Sequence, residues 1–273
     1  MRILFLGDVV GRIARQTVLE TVADIRTELQ ADFVVVNVEN SAGGFGVTPD
    51  IADQFLAVGV DVMTTGNHVW DKREIFAYID KEPRLIRPIN MPEGTSGKGM
   101  VTVTNAAGLR LTVINAMTNL FMAPNEPMFP AISAYLDTIA LTKDTDAIMI
   151  DVHGEATSEK NATGILYDGR VSMVVGTHTH VPTADHRILP KGTAYMTDVG
   201  MCGDYTSVIG MNAEAAIGRF IGVDSGKLSV AMGEPSLSGI IVDTDDATGL
   251  AKAITPFRRG GTLAPTSPQS LPA

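Results

Sequence analysis

Cysteine, long apolar runs and positive charge are scarce in this chain, and each scarcity excludes a class of protein. Cys202 is the single cysteine among 273 residues, so an internal disulfide is impossible and a reducing compartment is expected. A purely structural metal site is disfavoured, because such sites use several thiolates. No apolar run approaches the roughly 18 to 20 residues that a transmembrane helix needs, so we expect no membrane partner.

The chain is acidic, with a formal net charge of -10 from 21 Lys and Arg against 31 Asp and Glu. Long nucleic acid is therefore not expected as a partner, because duplex binding depends on clustered Lys and Arg. A small anionic substrate stays compatible with this charge if metal cations supply positive charge locally. The apolar part of residues 1–8 is too short, and too quickly followed by an acidic residue, for a secretory signal. We therefore expect a cytoplasmic protein.

Length and composition predict one main domain. A chain of this length with 45% hydrophobic residues can bury one large core, and we assign residues 1–261 to it. Residues 262–273 contain three prolines and no periodic apolar face, which predicts a flexible C-terminal tail.

Strand-like and helix-like segments alternate along the chain, which predicts an α/β fold with parallel strands. After the first strand, Val18, Val22 and Ile25 repeat at the spacing of one helix face. Thr48 and Pro49 are typical of the start of the next helix. Further predictions are strands at 2–6, 33–38, 62–65, 147–152, 171–175, 194–197 and 239–242, shorter strands of a second sheet or antiparallel extension at 85–87, 100–103 and 109–115, and helices at 132–141 and after Glu155.

Side chains that bind metals follow several of these strand-like runs. Four of the five histidines stand there, as do Asp, Glu and Asn residues. Because the carboxyl ends of neighbouring parallel strands converge on one crevice, we expect these side chains to meet. Two metal ions need a bridging carboxylate, for which Glu39 is the natural choice, together with imidazoles and oxygens. The candidate ligands are Asp8, Glu39, Asn40, Asn67, His153, His178 and His180. The chain is therefore predicted to be a metal-dependent hydrolase.

Each candidate ligand also has a structural interpretation. Asp8 follows Gly7 and could cap the next helix. Asn40 and Asn67 could be turn residues with left-handed backbone angles. His153 alone could be a buried, hydrogen-bonded histidine. The set of donors, with a His-x-His pair among them, favours the metal site over these separate explanations.

His68 directly follows the candidate ligand Asn67 and is predicted to be catalytic. As a general acid it would give a proton to the leaving oxygen, or it would hydrogen-bond the phosphoryl oxygens; the competing interpretation is an eighth ligand. Asp71 could orient His68 or cap a helix beginning near Lys72, and the cap is favoured here. The glycine-rich residues 43–46 lack the lysine and the spacing of a P-loop, so they are interpreted as a flexible edge of the pocket.

The order of the motifs resembles that of the calcineurin-like metallophosphoesterases. A Gly-Asp pair near the N-terminus, the sequence Gly-Asn-His at 66–68, His153 and Gly-Thr-His-Thr-His at 176–180 carry the resemblance. Two blocks depart from the usual pattern, because Val10 replaces the first histidine and Asn-Val-Glu-Asn stands at 37–40. With Gly-Asp-Val-Val-Gly-Arg at 7–12 and Gly-Asn-His-Val-Trp-Asp at 66–71, these departures resemble the YmdB-like family of bacterial metallophosphoesterases.

The family resemblance implies a four-layer α/β/β/α sandwich and a binuclear metal site, often found with iron. It implies phosphodiesterase activity on small cyclic nucleotides, notably 2′,3′-cyclic ones, by a metal-activated hydroxide. The seven candidate residues would be the ligands and His68 the catalytic residue. Because Val10 stands where the family usually has a histidine, Asn40 would take part of the coordination shell of one metal ion. That ion would then have more oxygen ligands. That change suits iron or manganese better than strict zinc.

Two other functions stay open at this point. A binuclear amidohydrolase-type enzyme would use a similar site, but its His-x-His normally comes early rather than at His178 and His180. A regulatory or binding protein with residual phosphoesterase activity would act through a partner, and substitution of His68 would separate that role from catalysis. A homo-oligomer is also possible, although symmetry cannot be inferred from sequence.

Overall fold

A computed structural model describes residues 1–224 and 226–267, which form two large β-sheets flanked by helices. The strands of this part are β1 (Arg2–Leu6), β2 (Asp8–Val9), β3 (Phe33–Asn37), β4 (Val62–Thr64), β5 (Met100–Thr104), β6 (Arg110–Met117), β7 (Ala147–His153), β8 (Met173–Thr177), β9 (Arg187–Ile188), β10 (Ala194–Met196), β11 (Met201–Cys202), β12 (Leu237–Thr244) and β13 (Ala251–Arg259). The helices are α1 (Gly11–Leu29), α2 (Pro49–Ala57), α3 (Ile75–Tyr78), α4 (Met128–Leu136), α5 (Thr157–Leu166) and α6 (Ala213–Ile221).

The first sheet has the strand order β13-β12-β1-β3-β4. β1, β3 and β4 are parallel neighbours, and β12 pairs antiparallel with β1. The helix α1 connects β1 to β3 and buries the predicted face of Val18, Val22 and Ile25. Thr48 caps α2 by accepting a hydrogen bond from the Ile51 N–H, as the sequence predicts.

The second sheet has the order β5-β6-β7-β8-β10-β9, in which β6, β7, β8 and β10 run parallel. A small third pair joins β2 to β11 in parallel, with Asp8 opposite Met201. The two segments of the chain approach closely here, because a Cβ on Gly7 would overlap the carbonyl of Gly200. Glycine at position 7 thus allows β11 to lie beside the segment that carries Asp8.

Three separate cores define four layers. Leu4 of β1 packs with Val22 of α1 in a core outside the first sheet. Phe5, on the opposite face of β1, packs in a core that contains Met149 of β7, so the two sheets lie face to face. Ile150, on the other face of β7, packs with residues of α4. The predicted α/β/β/α sandwich is confirmed.

Some predicted elements differ from the structure. The helix expected at 132–141 is α4, which begins and ends about one turn earlier. The strand expected at 85–87 is reduced to a bridge between Leu85 and Met63. Two further elements, α6 and β13, were not predicted from the sequence. Part of the expected tail, 268–273, lies outside the described residues; before it, Thr266 and Arg258 exchange backbone hydrogen bonds. Within the described ranges, no helix is long and apolar enough to cross a membrane.

Candidate metal centre

Glu39, His153 and His178 meet where β3, β7 and β8 end. Their ligand atoms all lie within 4.8 Å of one another. The Nε2 atom of His153 is 2.9 Å from Glu39 Oε1 and 3.1 Å from His178 Nδ1. The side-chain oxygen of Asn67 is 3.0 Å from the same Nε2 atom. Four of the predicted ligands thus surround one position, as expected for the carboxyl ends of parallel strands.

Asp8 and Asn40 add two buried oxygens that lack a hydrogen-bond partner. One oxygen of Asp8 accepts a hydrogen bond from the His178 backbone N–H at 3.1 Å. The other, Oδ1, is buried without a partner, as is Oδ1 of Asn40. The Asn40 amide donates to the Gly44 carbonyl at 2.9 Å, which leaves its oxygen unpaired. Buried unpaired oxygens are costly and indicate a missing partner, which at this site fits a metal ion.

His180 lies at the same pocket but is not part of the tight cluster of Glu39, His153 and His178. Its Nδ1 atom is 2.8 Å from the Ile209 carbonyl oxygen. A carbonyl oxygen only accepts, so His180 carries its proton on Nδ1 and has a lone pair on Nε2. An imidazole fixed in this way is a typical metal ligand.

Burial disfavours charge on every titratable member of this set. It raises the pKa of the Asp8 carboxyl to about 7 and also raises the pKa of Glu39. It lowers the pKa of His153 to about 4 and the pKa of His178 to about 3, and it lowers the pKa of His180. Neutral imidazoles offer lone pairs to a cation, and a cation between the carboxyl groups would favour their ionised form. The donor set therefore fits a metal ion.

His68 lies at the rim of the centre, about one-quarter exposed. Its Nδ1 atom is 2.8 Å from Asp71 Oδ2, and its backbone N–H donates to Glu39 Oε2 at 3.1 Å. The expectation that Asp71 caps a helix is wrong, because α3 begins only at Ile75 and the Asp71 carboxylate binds His68 instead. Asp71 thus orients the His68 ring, the alternative that the sequence left open.

The pocket above these groups has a volume of about 300 Å³. Its polar side is formed by residues of the centre and by Glu155, and its apolar side by Phe45, Ile209 and Met211. This volume is at the lower end of the range of small-molecule sites.

Comparison with known proteins identifies the family. The family model described as YmdB-like protein matches residues 4–257. The chain belongs to this YmdB-like family. The predicted resemblance is confirmed.

Two relatives of this YmdB-like chain carry names that state an activity. A Bacillus subtilis protein named 2′,3′-cyclic-nucleotide 2′-phosphodiesterase is 49% identical over 254 residues, which cover 93% of this chain and 95% of that protein. A Mycoplasma pneumoniae protein named putative phosphatase/phosphodiesterase is 36% identical and covers 90% of this chain and 88% of its own length. The prediction of a phosphoesterase is confirmed at the level of the enzyme class.

Two solved structures share the fold. A hypothetical protein from Thermus thermophilus superposes with a TM-score of 0.87 at 37% identity, covering 96% of this chain and all of that one. A novel phosphatase from Mycoplasma pneumoniae has the same TM-score at 32% identity and covers 95% of this chain and 93% of its own.

Asp151 and Thr177 hold the His153 ring of the YmdB-like site, a role that the sequence analysis missed. The Thr177 hydroxyl donates to Asp151 Oδ1 at 2.8 Å and lies 2.9 Å from His153 Nδ1. Because that hydroxyl donates to the carboxylate, it accepts from Nδ1–H of His153 and leaves the Nε2 lone pair facing Glu39. The signal was present, since Asp151 stands two residues before His153 and Thr177 directly precedes His178.

A buried ion pair holds the loop that carries His178 and His180. Lys160 Nζ donates to Asp198 at 2.9 Å and to the Thr177 carbonyl at 2.7 Å, and both charged side chains are about 1% exposed. The Thr179 N–H, between the two histidines, donates to the same Asp198 oxygen at 3.1 Å. No local sequence signal marks this pair, because Lys160 alone resembles an ordinary residue of a surface helix.

Proposed function

We propose that this enzyme is a binuclear metal-dependent phosphodiesterase that hydrolyses small cyclic nucleotides, with 2′,3′-cyclic nucleotides favoured. The convergence of Glu39, His153 and His178 on one position carries the proposal. The activity named for the Bacillus subtilis relative, at 49% identity over nearly the whole chain, supports the substrate class.

The proposed ligands are the seven residues predicted from the sequence: Asp8, Glu39, Asn40, Asn67, His153, His178 and His180. Two features support two ions rather than one. The buried oxygens Oδ1 of Asp8 and Oδ1 of Asn40 have no hydrogen-bond partner and are free to bind an ion beside the Glu39 cluster, and His180 lies outside that cluster. The oxygen-rich set suits iron, with manganese as the alternative. When bound, such ions lower the pKa of water and offset the charge of phosphoryl oxygens.

His68 is proposed as the group that protonates the leaving sugar oxygen. The Asp71 carboxylate accepts from Nδ1–H at 2.8 Å, which orients the ring and leaves Nε2 for the substrate. The hydrogen bond from the His68 backbone N–H to Glu39 fixes this residue relative to the centre. A proton held at Nε2 can therefore be delivered beside the ligands without rotation of the ring.

The buried thiol of Cys202, which forms no disulfide, supports a reducing, cytoplasmic location. The possible homo-oligomer stays a prediction. Exposed apolar side chains on α6, such as Phe220 and Ile221, are the feature that would favour it.

Hydrolysis of 2′,3′-cyclic AMP and bis-p-nitrophenyl phosphate tests the proposed function, with metal content measured on the same sample. The variants are His68→Ala and Asp8→Ala, and His186→Ala is the matched control because the fifth histidine is exposed and outside the cluster. We expect turnover with about two ions per chain, loss of turnover in His68→Ala with the metal retained, and loss of metal in Asp8→Ala.

Full metal occupancy with no turnover of either ester, after loading with manganese or with iron under anaerobic conditions, would exclude the diesterase. Either another substrate class or a regulatory or binding role would then be favoured, and a regulatory or binding role should survive the His68 substitution.

A further inference from the structure

Two loops each place one apolar side chain beside the proposed ligands. Phe45 and Ile209 line the pocket of the centre, as does Met211; these three residues are called the apolar wall. The wall is directly connected to the centre, because the Ile209 carbonyl binds His180 and the Phe45 ring lies edge-on to the His68 ring, with 4.9 Å between the ring centroids.

Ile209 is held in a conformation that its side chain disfavours. Its φ angle is 47°, in the left-handed region that a β-branched residue rarely adopts. Its side chain is nevertheless 51% exposed, so burial in the core does not account for the choice of isoleucine. Strained residues of this kind cluster at ligand sites. The strain directs the carbonyl to His180 and presents the side chain at the pocket.

Phe45 is presented by a loop that only glycine can form. Gly44 and Gly46 have φ angles of 96° and 79°, and a Cβ on Gly44 would lie 2.6 Å from the Val230 side chain. The loop is therefore packed against Val230 at Gly44. It positions a half-buried aromatic ring beside His68.

The charges around the pocket select the kind of group that the apolar wall can hold. No Lys or Arg is among the residues of the described chain that line it, whereas Glu155, with a side chain 55% exposed, lies 3.5 Å from His178. A second phosphate group would find no cation here and would meet a carboxylate. A neutral, planar group fits, because stacking on an aromatic ring and apolar contact need no charge.

We propose that Phe45, Ile209 and Met211 form the nucleobase subsite of this enzyme. The substrate class is then a single nucleoside cyclic phosphate with no further phosphate. This inference rests on the proposed function, in which the phosphate lies at the metal ligands.

The test compares a cyclic phosphate with a base and one without. Metal-loaded wild type, Phe45→Ala and Phe45→Leu are assayed for kcat and KM on 2′,3′-cyclic AMP and on glycerol 1,2-cyclic phosphate. Direct binding of adenosine 3′-monophosphate and of inorganic phosphate is measured by calorimetry on the same samples. Phe220→Ala is the matched control, because Phe220 is 82% exposed and lines a neighbouring apolar groove that shares Ile209 and Met211 but not Phe45.

For Phe45→Ala we expect kcat/KM on 2′,3′-cyclic AMP to fall by about 10-fold or more, mainly through KM, with a similar loss of affinity for the nucleotide. Hydrolysis of the glycerol ester and binding of phosphate should change by less than about 3-fold, Phe45→Leu should keep part of the affinity, and Phe220→Ala should resemble wild type.

Equal losses on both esters would overturn the subsite and make Phe45 a support for His68 only. A selective loss in Phe220→Ala would place the base in the neighbouring groove and also overturn it. If wild type hydrolyses neither ester, the proposed function fails, but calorimetry still tests the subsite. Weaker nucleotide binding in Phe45→Ala would support the subsite. Equal affinity of wild type for the nucleotide and for phosphate would refute it.

Discussion

Replacing Lys160 by methionine would leave the Asp198 carboxylate buried without the cation that it contacts. Both side chains are about 1% exposed, and the ion pair measures 2.9 Å. Breaking such a pair by removing one partner costs about 3–5 kcal/mol. The exposed pair of Arg170 and Asp137, also 2.9 Å apart, is the matched comparison, and Arg170→Met should cost about 1 kcal/mol or less. Urea unfolding of the metal-free proteins measures both losses.

The same pair should control metal affinity through the loop that Asp198 holds. His178 and His180 have φ angles of 96° and 66°, and two such residues store about 2–6 kcal/mol of backbone strain. A charge-assisted hydrogen bond, worth about 1.5–3 kcal/mol, joins Asp198 to the N–H group of Thr179 between the two histidines, and another joins Lys160 to the Thr177 carbonyl directly before them. Together these two bonds are of the size needed to keep the loop in its strained form.

Two double variants separate stability from positioning. Lys160→Met/Asp198→Asn removes both charges and keeps one acceptor for the backbone N–H groups of the loop. Its free energy of unfolding should therefore lie within about 2 kcal/mol of the wild-type value. Lys160→Met/Asp198→Ala removes the acceptor, so its affinity for Mn²⁺, measured by calorimetry, should fall about 10-fold to 100-fold below wild type. If Lys160→Met/Asp198→Ala folds and binds Mn²⁺ as tightly as wild type, the pair stabilises the fold without positioning the histidines, and the reasoning is refuted.

Three further predictions follow from single residues. In Gly66→Ala the new Cβ would overlap His153 and crowd Glu39, so Mn²⁺ affinity should fall by about 10-fold or more; unchanged calorimetric binding would contradict this. Ile209→Asn should raise the free energy of urea unfolding by about 1 kcal/mol, because Asn tolerates the left-handed backbone; a loss of stability would show that the Ile209 side chain contributes more than its strain costs. Burial raises the pKa of the Cys202 thiol to about 12, so at pH 8 a disulfide reagent should label it only as fast as the protein unfolds, and rapid labelling of native protein would contradict the burial.

The predictions that succeeded rest on periodicity and on the geometry of parallel sheets. The spacing of Val18, Val22 and Ile25 predicts α1, and all three residues are buried on it. The candidate ligands converge because β3, β7 and β8 present their carboxyl ends at one crevice. Since that rule needs only the order of strands and the residue that follows each, the sequence alone predicts that Glu39 and His153 lie close together.

The predictions that failed depend on long-range packing or on weak periodicity. β13 is an edge strand of intermediate burial that contains Lys252, Pro256 and Arg258, and such strands lack a clean alternation of apolar and polar residues. α6 leaves Phe220 and Ile221 exposed, so its apolar residues do not mark a single buried face. The choice between the two roles of Asp71 depends on a turn whose conformation the local sequence does not determine.

The strain in this protein is concentrated where the chemistry is proposed. The described chain has six non-glycine residues with positive φ, and His178, His180 and Ile209 are three of them; all three line one pocket. Hydrogen bonds must offset the cost of these conformations. Asp198, which does not line the pocket, accepts from the Thr179 N–H, and the Ile209 carbonyl accepts from His180. Substitutions that relax these loops should therefore raise the stability of the protein and lower the affinity of the centre for metal ions. A library selected for thermal stability alone should accumulate changes at Ile209 and lose nucleotide affinity as it does so.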